Sequence, residues 1–274
     1  MNKITVNWHL WKSCNYKCKF CFAGFEKVKT NLDLEDGKRL IKILKDNRVY
    51  KVNFAGGEPF LNKHTGDYIK YAKEIGLKTS IISNGSLMTK TWLNNYGEYL
   101  DQIGISCDSI DNEVNRRIGR GFGNHVDITK RALTRINELG IKTKLNTVVL
   151  RDNYLEDWND FINEFKIDRW KVFKILRIEG ENDHVYDDLS ITDLQYHSFL
   201  VRHHELSRKG ILIDEDNNDM TNSYIMITPD GRFYQNTSGK YIYSKNILTH
   251  GFGVISETGF NVMKYIERGG SYSV

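Results

Sequence analysis

The chain has 274 residues, 40% hydrophobic, 12% aromatic and 27% charged, with 39 Lys and Arg against 35 Asp and Glu for a formal charge of +4. That composition describes an ordinary globular protein and excludes a disordered or membrane-embedded one, and so small a charge argues against direct nucleic-acid binding while permitting a small anionic ligand. No stretch nears the ~20 apolar residues that span a bilayer, and the opening MNKITVNWHLWKSC holds neither a signal peptide nor an amphipathic anchor, so a cytoplasmic monomer with no membrane contact is expected.

Apolar runs rich in β-formers recur at 4–10, 51–55, 78–83, 102–107, 142–150 and 170–176, and these are expected to be strands. Helical patterns fill 34–46, 65–75, 89–99, 125–139 and 155–165 between them, with Gly76 and Gly140 placed to end two helices. Six alternations of strand and helix imply parallel strands joined by right-handed crossovers. The expected fold is therefore α/β, a partial (βα)6 TIM-type barrel over 1–175, with its ligand site at the strands' C-terminal ends. Beyond residue 175 the rhythm stops. A helix is expected near 193–209 and a hairpin at 224–235 around Pro229, Asp230 and Gly231, so that 176–274 form an α+β extension capping the site.

Three of the four cysteines, Cys14, Cys18 and Cys21, form C-x-x-x-C-x-x-C in the loop after the first strand. Soft thiolates at such spacing in a reducing compartment suit a metal or an iron–sulfur centre rather than disulfides. Three ligands leave one iron of a 4Fe-4S cube open to an exogenous ligand. A structural zinc site would want a closed set of four, and His9 would have to reach round from a strand to complete it. Cys107 has no partner in the sequence and reads as a small core residue.

The cysteine spacing, with Phe20 before the last cysteine, resembles the signature of radical S-adenosylmethionine (SAM) enzymes. After the second expected strand, Phe54-Ala55-Gly56-Gly57-Glu58-Pro59 resembles the glycine turn that meets SAM in those enzymes, and glycine there permits close approach and positive φ. The resemblance narrows to the viperin family. It is carried by Cys14-Asn15-Tyr16-Lys17-Cys18, Ser83-Asn84-Gly85-Ser86-Leu87, Asn95-Tyr96-Gly97-Glu98-Tyr99, Ser106-Cys107-Asp108-Ser109, Ile118-Gly119-Arg120-Gly121, Arg169-Trp170-Lys171-Val172-Phe173, Ile178-Glu179-Gly180-Glu181-Asn182 and Arg268-Gly269-Gly270.

That resemblance implies a 4Fe-4S cluster on the three cysteines, SAM held by Gly56, Gly57, Glu58, Asn84, Ser106 and Arg120, and an outside electron donor of flavodoxin or ferredoxin type. It implies a nucleoside triphosphate substrate, with CTP, UTP and GTP all open, converted to its 3'-deoxy-3',4'-didehydro analogue, a chain terminator with an antiviral or antiphage role. Lys144, Asn146, Arg169, Lys171, Tyr224, Lys245 and Arg268 resemble the family's nucleotide-binding set, with Tyr224 and Lys245 taken as catalytic.

The residues support part of this independently. Lys142, Lys144 and Asn146 alternate on one strand face, Arg169 and Lys171 share a face of the next, and cations lining a barrel are costly unless an anion joins them. Any one of these lysines alone would more often face solvent. The rival enzyme reading is a radical SAM protein acting on a peptide or another small molecule. Such relatives often carry further cysteines, whereas only Cys107 remains here.

Overall fold

A computed structural model describes residues 3–269, so Gly270 of the last matching segment lies outside the described residues. Seven strands run parallel in sequential order: β1 (Ile4–His9), β2 (Val49–Ala55), β3 (Lys78–Ser83), β4 (Gln102–Ser106), β5 (Lys142–Val149), β6 (Arg169–Lys174) and β7 (Leu212–Glu215). Helices α1 (Leu34–Asp46), α2 (Thr65–Glu74), α3 (Lys90–Tyr96), α4 (Asn112–Arg117), α5 (His125–Glu138) and α6 (Asn159–Glu164) connect the first six. This is the α/β partial barrel that the alternation implies.

Two expectations need correction. The tail does more than cap the barrel: β7 pairs with β6, while β8 (Met226–Ile227) adds in parallel to β1 and continues antiparallel into β9 (Arg232–Gln235) and β10 (Ile242–Asn246). One ten-stranded sheet, in the order β10-β9-β8-β1-β2-β3-β4-β5-β6-β7, therefore runs across the boundary expected at residue 175. The helix expected over 193–209 is two, Asp193–Arg202 and His204–Arg208, broken at His203, whose buried ring accepts the Trp158 N–H at 2.9 Å. The short helix α4 was not foreseen. It starts because the Asp111 carboxylate caps the Glu113 amide at 2.6 Å, a local bond that leaves no long apolar period to read.

The local causes are ordinary. The Asp33 side chain caps α1 on the Asp36 amide at 2.9 Å, and Leu40, Ile41 and Leu44 at helical spacing bury its inner face, each contributing about 1.5–3 kcal/mol. Gly76 and Gly140 follow α2 and α5 with φ of 82° and 67°.

The pleat decides what faces the barrel axis. Val6 and Trp8 point outward, Trp8 meeting Tyr68 of α2 with ring centroids 5.0 Å apart, whereas Thr5 and Asn7 point inward. The same parity turns Lys51, Asn53, Gln102, Lys144, Arg169 and Lys171 inward, where barrels of this type usually pack branched apolar side chains. The interior is a polar, cationic cavity.

Candidate active site

The cluster loop leaves β1 at Leu10. Its three thiols do not close around a single point: among the described residues no three His, Cys, Asp or Glu side chains converge as they would on one ion. A 4Fe-4S cube takes one thiolate per iron, so its three thiolates need not converge on a single point. Backbone amides already face two of the sulfurs, Tyr16 N–H donating to Cys14 Sγ at 3.3 Å and Ala23 N–H to Cys21 Sγ at 3.4 Å. Such N–H to sulfur bonds favour thiolates and tune a cluster's potential. Burial pushes the Cys18 thiol up to about 12, a cost that metal ligation removes by deprotonating it outright. The donor set thus fits an iron–sulfur cluster.

The glycine turn supports this loop directly. A Cβ on Gly57 would lie 2.2 Å from the Ser13 carbonyl oxygen, and one on Gly56, which has φ of +138°, would lie 2.5 Å from that of Trp11. The close approach that glycine permits is therefore to the cluster loop, sealed by Gly57 N–H to Trp11 O at 2.6 Å and Glu58 N–H to Ser13 O at 2.9 Å. The Glu58 carboxylate, fully buried, accepts from Ser83 Oγ at 2.8 Å and from the Asn84 amide at 2.9 Å. Asn84 in turn donates to Asn15 Oδ1 at 2.9 Å and stands 3.9 Å from Cys14 Sγ. Gly57, Glu58 and Asn84 thus form one brace behind the first cysteine.

On the other side, at the end of β4, the Ser106 carbonyl is held by His125 Nε2 at 2.8 Å. Arg120 reaches the same rim, bonding the buried Asp108 carboxylate at 2.6 Å and lying 5.6 Å over the Phe20 ring. Asp108, which sequence reasoning passed over, locks this guanidinium in place. Cys107 is fully buried with its thiol against the Ser109 carbonyl at 3.2 Å.

The structure gathers Lys144, Arg169, Lys171, Tyr224 and Arg268 around one cavity, deeper along the barrel than the cysteine loop. Asn146 sits between Ser106 and Lys171 in register, and its buried side-chain oxygen has no hydrogen-bond partner among the described residues. Arg268 lies 3.7 Å over the Tyr224 ring, and the Lys171 ammonium is 3.1 Å from the Tyr224 hydroxyl.

Lys245 is not brought to this cavity. It stands on the edge strand β10 with its side chain largely in solvent, 3.7 Å from Glu257, because β10 lies two strands beyond β8 at the sheet's margin.

Two residues were missed. Lys51 lines the same cavity and bonds Gln102 Oε1 at 3.0 Å; its alternation with Asn53 just before the glycine turn was the signal available. Glu215 gave none, since β7 is only four residues long. Its buried carboxylate accepts from Lys171, from the Tyr224 hydroxyl and from Arg268 Nη1 at 3.2 Å. Burial pushes Glu215 up, but Lys171 and Arg268 outweigh it and hold the carboxyl down at about 2. Burial, helped by Arg169, lowers Lys51 to about 8, and burial with Lys171 and Lys51 drives Lys144 well below the usual lysine range.

A family model, the radical SAM superfamily, matches residues 9–165. The chain is 40% identical to an S-adenosylmethionine-dependent nucleotide dehydratase of Flammeovirga pacifica, over 98% of this chain and 95% of the relative. It is 35% identical to a protein of the same name from Thermoplasmatales archaeon strain ISO4-H5, over 98% and 95%, and 37% identical to the nucleotide dehydratase RSAD2 of Siniperca chuatsi, over 99% and 79%. Among solved structures, Streptococcus suis SuiB bound to S-adenosylmethionine superposes with a TM-score of 0.74 at 18% identity, over 96% of this chain and 67% of that one, a likeness of fold alone. A thiolate loop braced by a glycine turn, set over a cationic barrel interior, agrees with these likenesses along nearly the whole chain: the protein belongs to the radical SAM superfamily and, within it, to the viperin-like family of S-adenosylmethionine-dependent nucleotide dehydratases.

Proposed function

We propose that the protein removes water from a nucleoside triphosphate, CTP, UTP or GTP, to give the 3'-deoxy-3',4'-didehydro nucleotide. The observation that carries this reading is the cavity: Lys51, Lys144, Arg169, Lys171 and Arg268 line the inside of one barrel together with the exposed Asp168, and the buried Glu215 carboxylate meets Lys171 and Arg268. Cations concentrated out of water call for a polyanion.

When bound, the cluster and SAM together supply a 5'-deoxyadenosyl radical. Everything else falls to this chain. Cys14, Cys18 and Cys21 would hold the cluster, while Glu58 and Asn84 fix the loop that carries them. Gly56, Gly57, Ser106 and Arg120 would bind SAM beside it. The cations clamp the triphosphate deep in the barrel and so direct the ribose back toward SAM, and the buried Asn146 oxygen accepts from a ribose hydroxyl. Geometry of this kind selects which C–H bond is exposed to attack. The nucleotide would give up a hydrogen atom from C4' to that radical, leaving 5'-deoxyadenosine, and then lose its 3' hydroxyl as water, taking up one proton and one electron. Tyr224, whose hydroxyl lies between Lys171 and Glu215, would furnish that proton and electron as a hydrogen atom or relay the electron. A one-electron carrier of flavodoxin or ferredoxin type supplies the reducing equivalents.

The product lacks a 3' hydroxyl and would terminate an RNA chain, which is the basis for an antiphage role. Anaerobic incubation with reductant, SAM and each triphosphate in turn tests the reading. A nucleotide lighter by one water is expected from one of them. 5'-Deoxyadenosine with every nucleotide unchanged would overturn it.

A further inference from the structure

The net charge of the chain is +4, and residues 12–29 alone carry that whole excess, with Lys12, Lys17, Lys19, Lys27 and Lys29 against Glu26. All five lysines are exposed, and among the described residues none forms an ion pair, whereas the nearby Arg116 and Arg117 are matched by Glu113 and Asp152. Unpaired charge gathered on one segment of an otherwise balanced surface is a steering field, and this segment is the cysteine loop itself.

Lys17 and Lys19 flank Cys18, and their amides bond the carbonyls of Gly119 and Ile118 at 3.2 and 3.0 Å, which draws the 118–122 turn alongside the loop. That turn presents Phe122, 78% exposed, whose ring lies nearly perpendicular to that of Tyr16 with centroids 5.7 Å apart. Cys21, also exposed, is hydrogen-bonded through its amide to the Cys18 carbonyl at 3.1 Å. Cations around an exposed aromatic are the elements of a small transient interface, electrostatics setting the encounter rate and the aromatic anchoring it.

We infer that this surface docks an acidic one-electron carrier protein, with Lys17 and Lys19 meeting its carboxylates and Phe122 its apolar centre. The inference rests on the proposed reading, in which the reaction consumes electrons from outside, and places their entry where the cysteine loop itself meets solvent. The carrier is oxidised by one electron at each visit and leaves, which suits contacts on the small side, under about 1,200 Å².

The test uses the cluster-loaded enzyme and the double charge reversal Lys17→Glu with Lys19→Glu, with Phe122→Ala as a second, uncharged variant. Iron content and 5'-deoxyadenosine formation driven by dithionite, which needs no docking, report whether site and fold survive. With limiting reduced flavodoxin at low salt, the double variant should form 5'-deoxyadenosine at least about tenfold more slowly than the parent, within the 10- to 1,000-fold that steering supplies. The gap should close near 1 M salt, where charges are screened beyond about 3 Å. Affinity for oxidised flavodoxin, measured by calorimetry, should fall in parallel, and Phe122→Ala should weaken it without changing its salt dependence. Normal flavodoxin-driven rates in the double variant overturn the inference, as would lysine-dependent binding of RNA with none of flavodoxin. The readout is 5'-deoxyadenosine, so an error in the nucleotide assignment would leave this result standing and would show only in the nucleotide masses.

Discussion

Glu215→Gln isolates the electrostatics of the cavity. The substitution keeps the side chain's shape and a hydrogen bond to Tyr224 but removes the buried negative charge facing Lys171 and Arg268. Lys171 and Glu215 are each about 1% exposed, so water cannot take over. Removing one partner of a buried pair costs about 3–5 kcal/mol because the other is left as an uncompensated charge. For a chain of this size 1 kcal/mol moves the melting temperature by roughly 2–4 °C, so a fall on the order of 10 °C is expected without nucleotide. A triphosphate supplies the missing charge. Any ligand at a hundredfold excess over Kd adds about 2.7 kcal/mol, but the variant should gain more than the parent, because Glu215 no longer competes with the phosphates for the two cations. Anaerobic thermal unfolding with and without CTP, UTP or GTP reads both quantities. A variant melting within about 1 °C of the parent, or gaining no more from nucleotide, would refute the claim that Glu215 holds these cations in the triphosphate's absence.

Nucleotide affinity should depend on pH through the depressed lysines. Lys51 at about 8 is partly neutral in the free cavity, Lys144 is likewise driven well below the usual lysine range by burial, and an anion beside them favours their charged forms. Binding therefore takes up protons, and affinity measured by calorimetry should be highest below pH 8 and weaken as pH rises above it. An affinity that is flat from pH 7 to 9 would count against the clamp. Gly57→Ala places a methyl 2.2 Å from the Ser13 carbonyl and should cost about 1–3 kcal/mol, seen as fewer irons retained per chain after reconstitution. Asp108→Asn leaves Arg120 without its charged partner at 2.6 Å and should raise the KM for SAM severalfold more than that for nucleotide. Lys245→Ala, on the exposed edge strand, should change stability by less than about 0.5 kcal/mol and leave nucleotide KM within twofold; a large rise in KM would bring that lysine back to the site.

Much of this protein could be read along the chain, because the signals are local. Cys14, Cys18 and Cys21 lie within eight residues, the glycine turn follows the second strand directly, and the βα rhythm depends only on periods of two and 3.6. Strand parity put Lys144 and Lys171 on shared faces of β5 and β6 and so agreed with the set that the resemblance implied. What the sequence could not show is which distant segments meet. β7 and β8 have four and two residues, too short to carry a period. Their pairing with β6 and β1 is set by what the barrel's open edges can accept, and through it Glu215 and Tyr224 come to face Lys171 across a separation of more than 40 residues. Lys245 illustrates the converse: a basic residue assigned to the nucleotide set by resemblance alone, carried to the sheet's margin by the register of β9 and β10. Sequence alone determined the cofactor loop and the fold class, since both are written in neighbouring residues. Only the tertiary structure decided the charge balance of the substrate cavity, since the worth of a buried charge depends on which other charges share its low-dielectric surroundings.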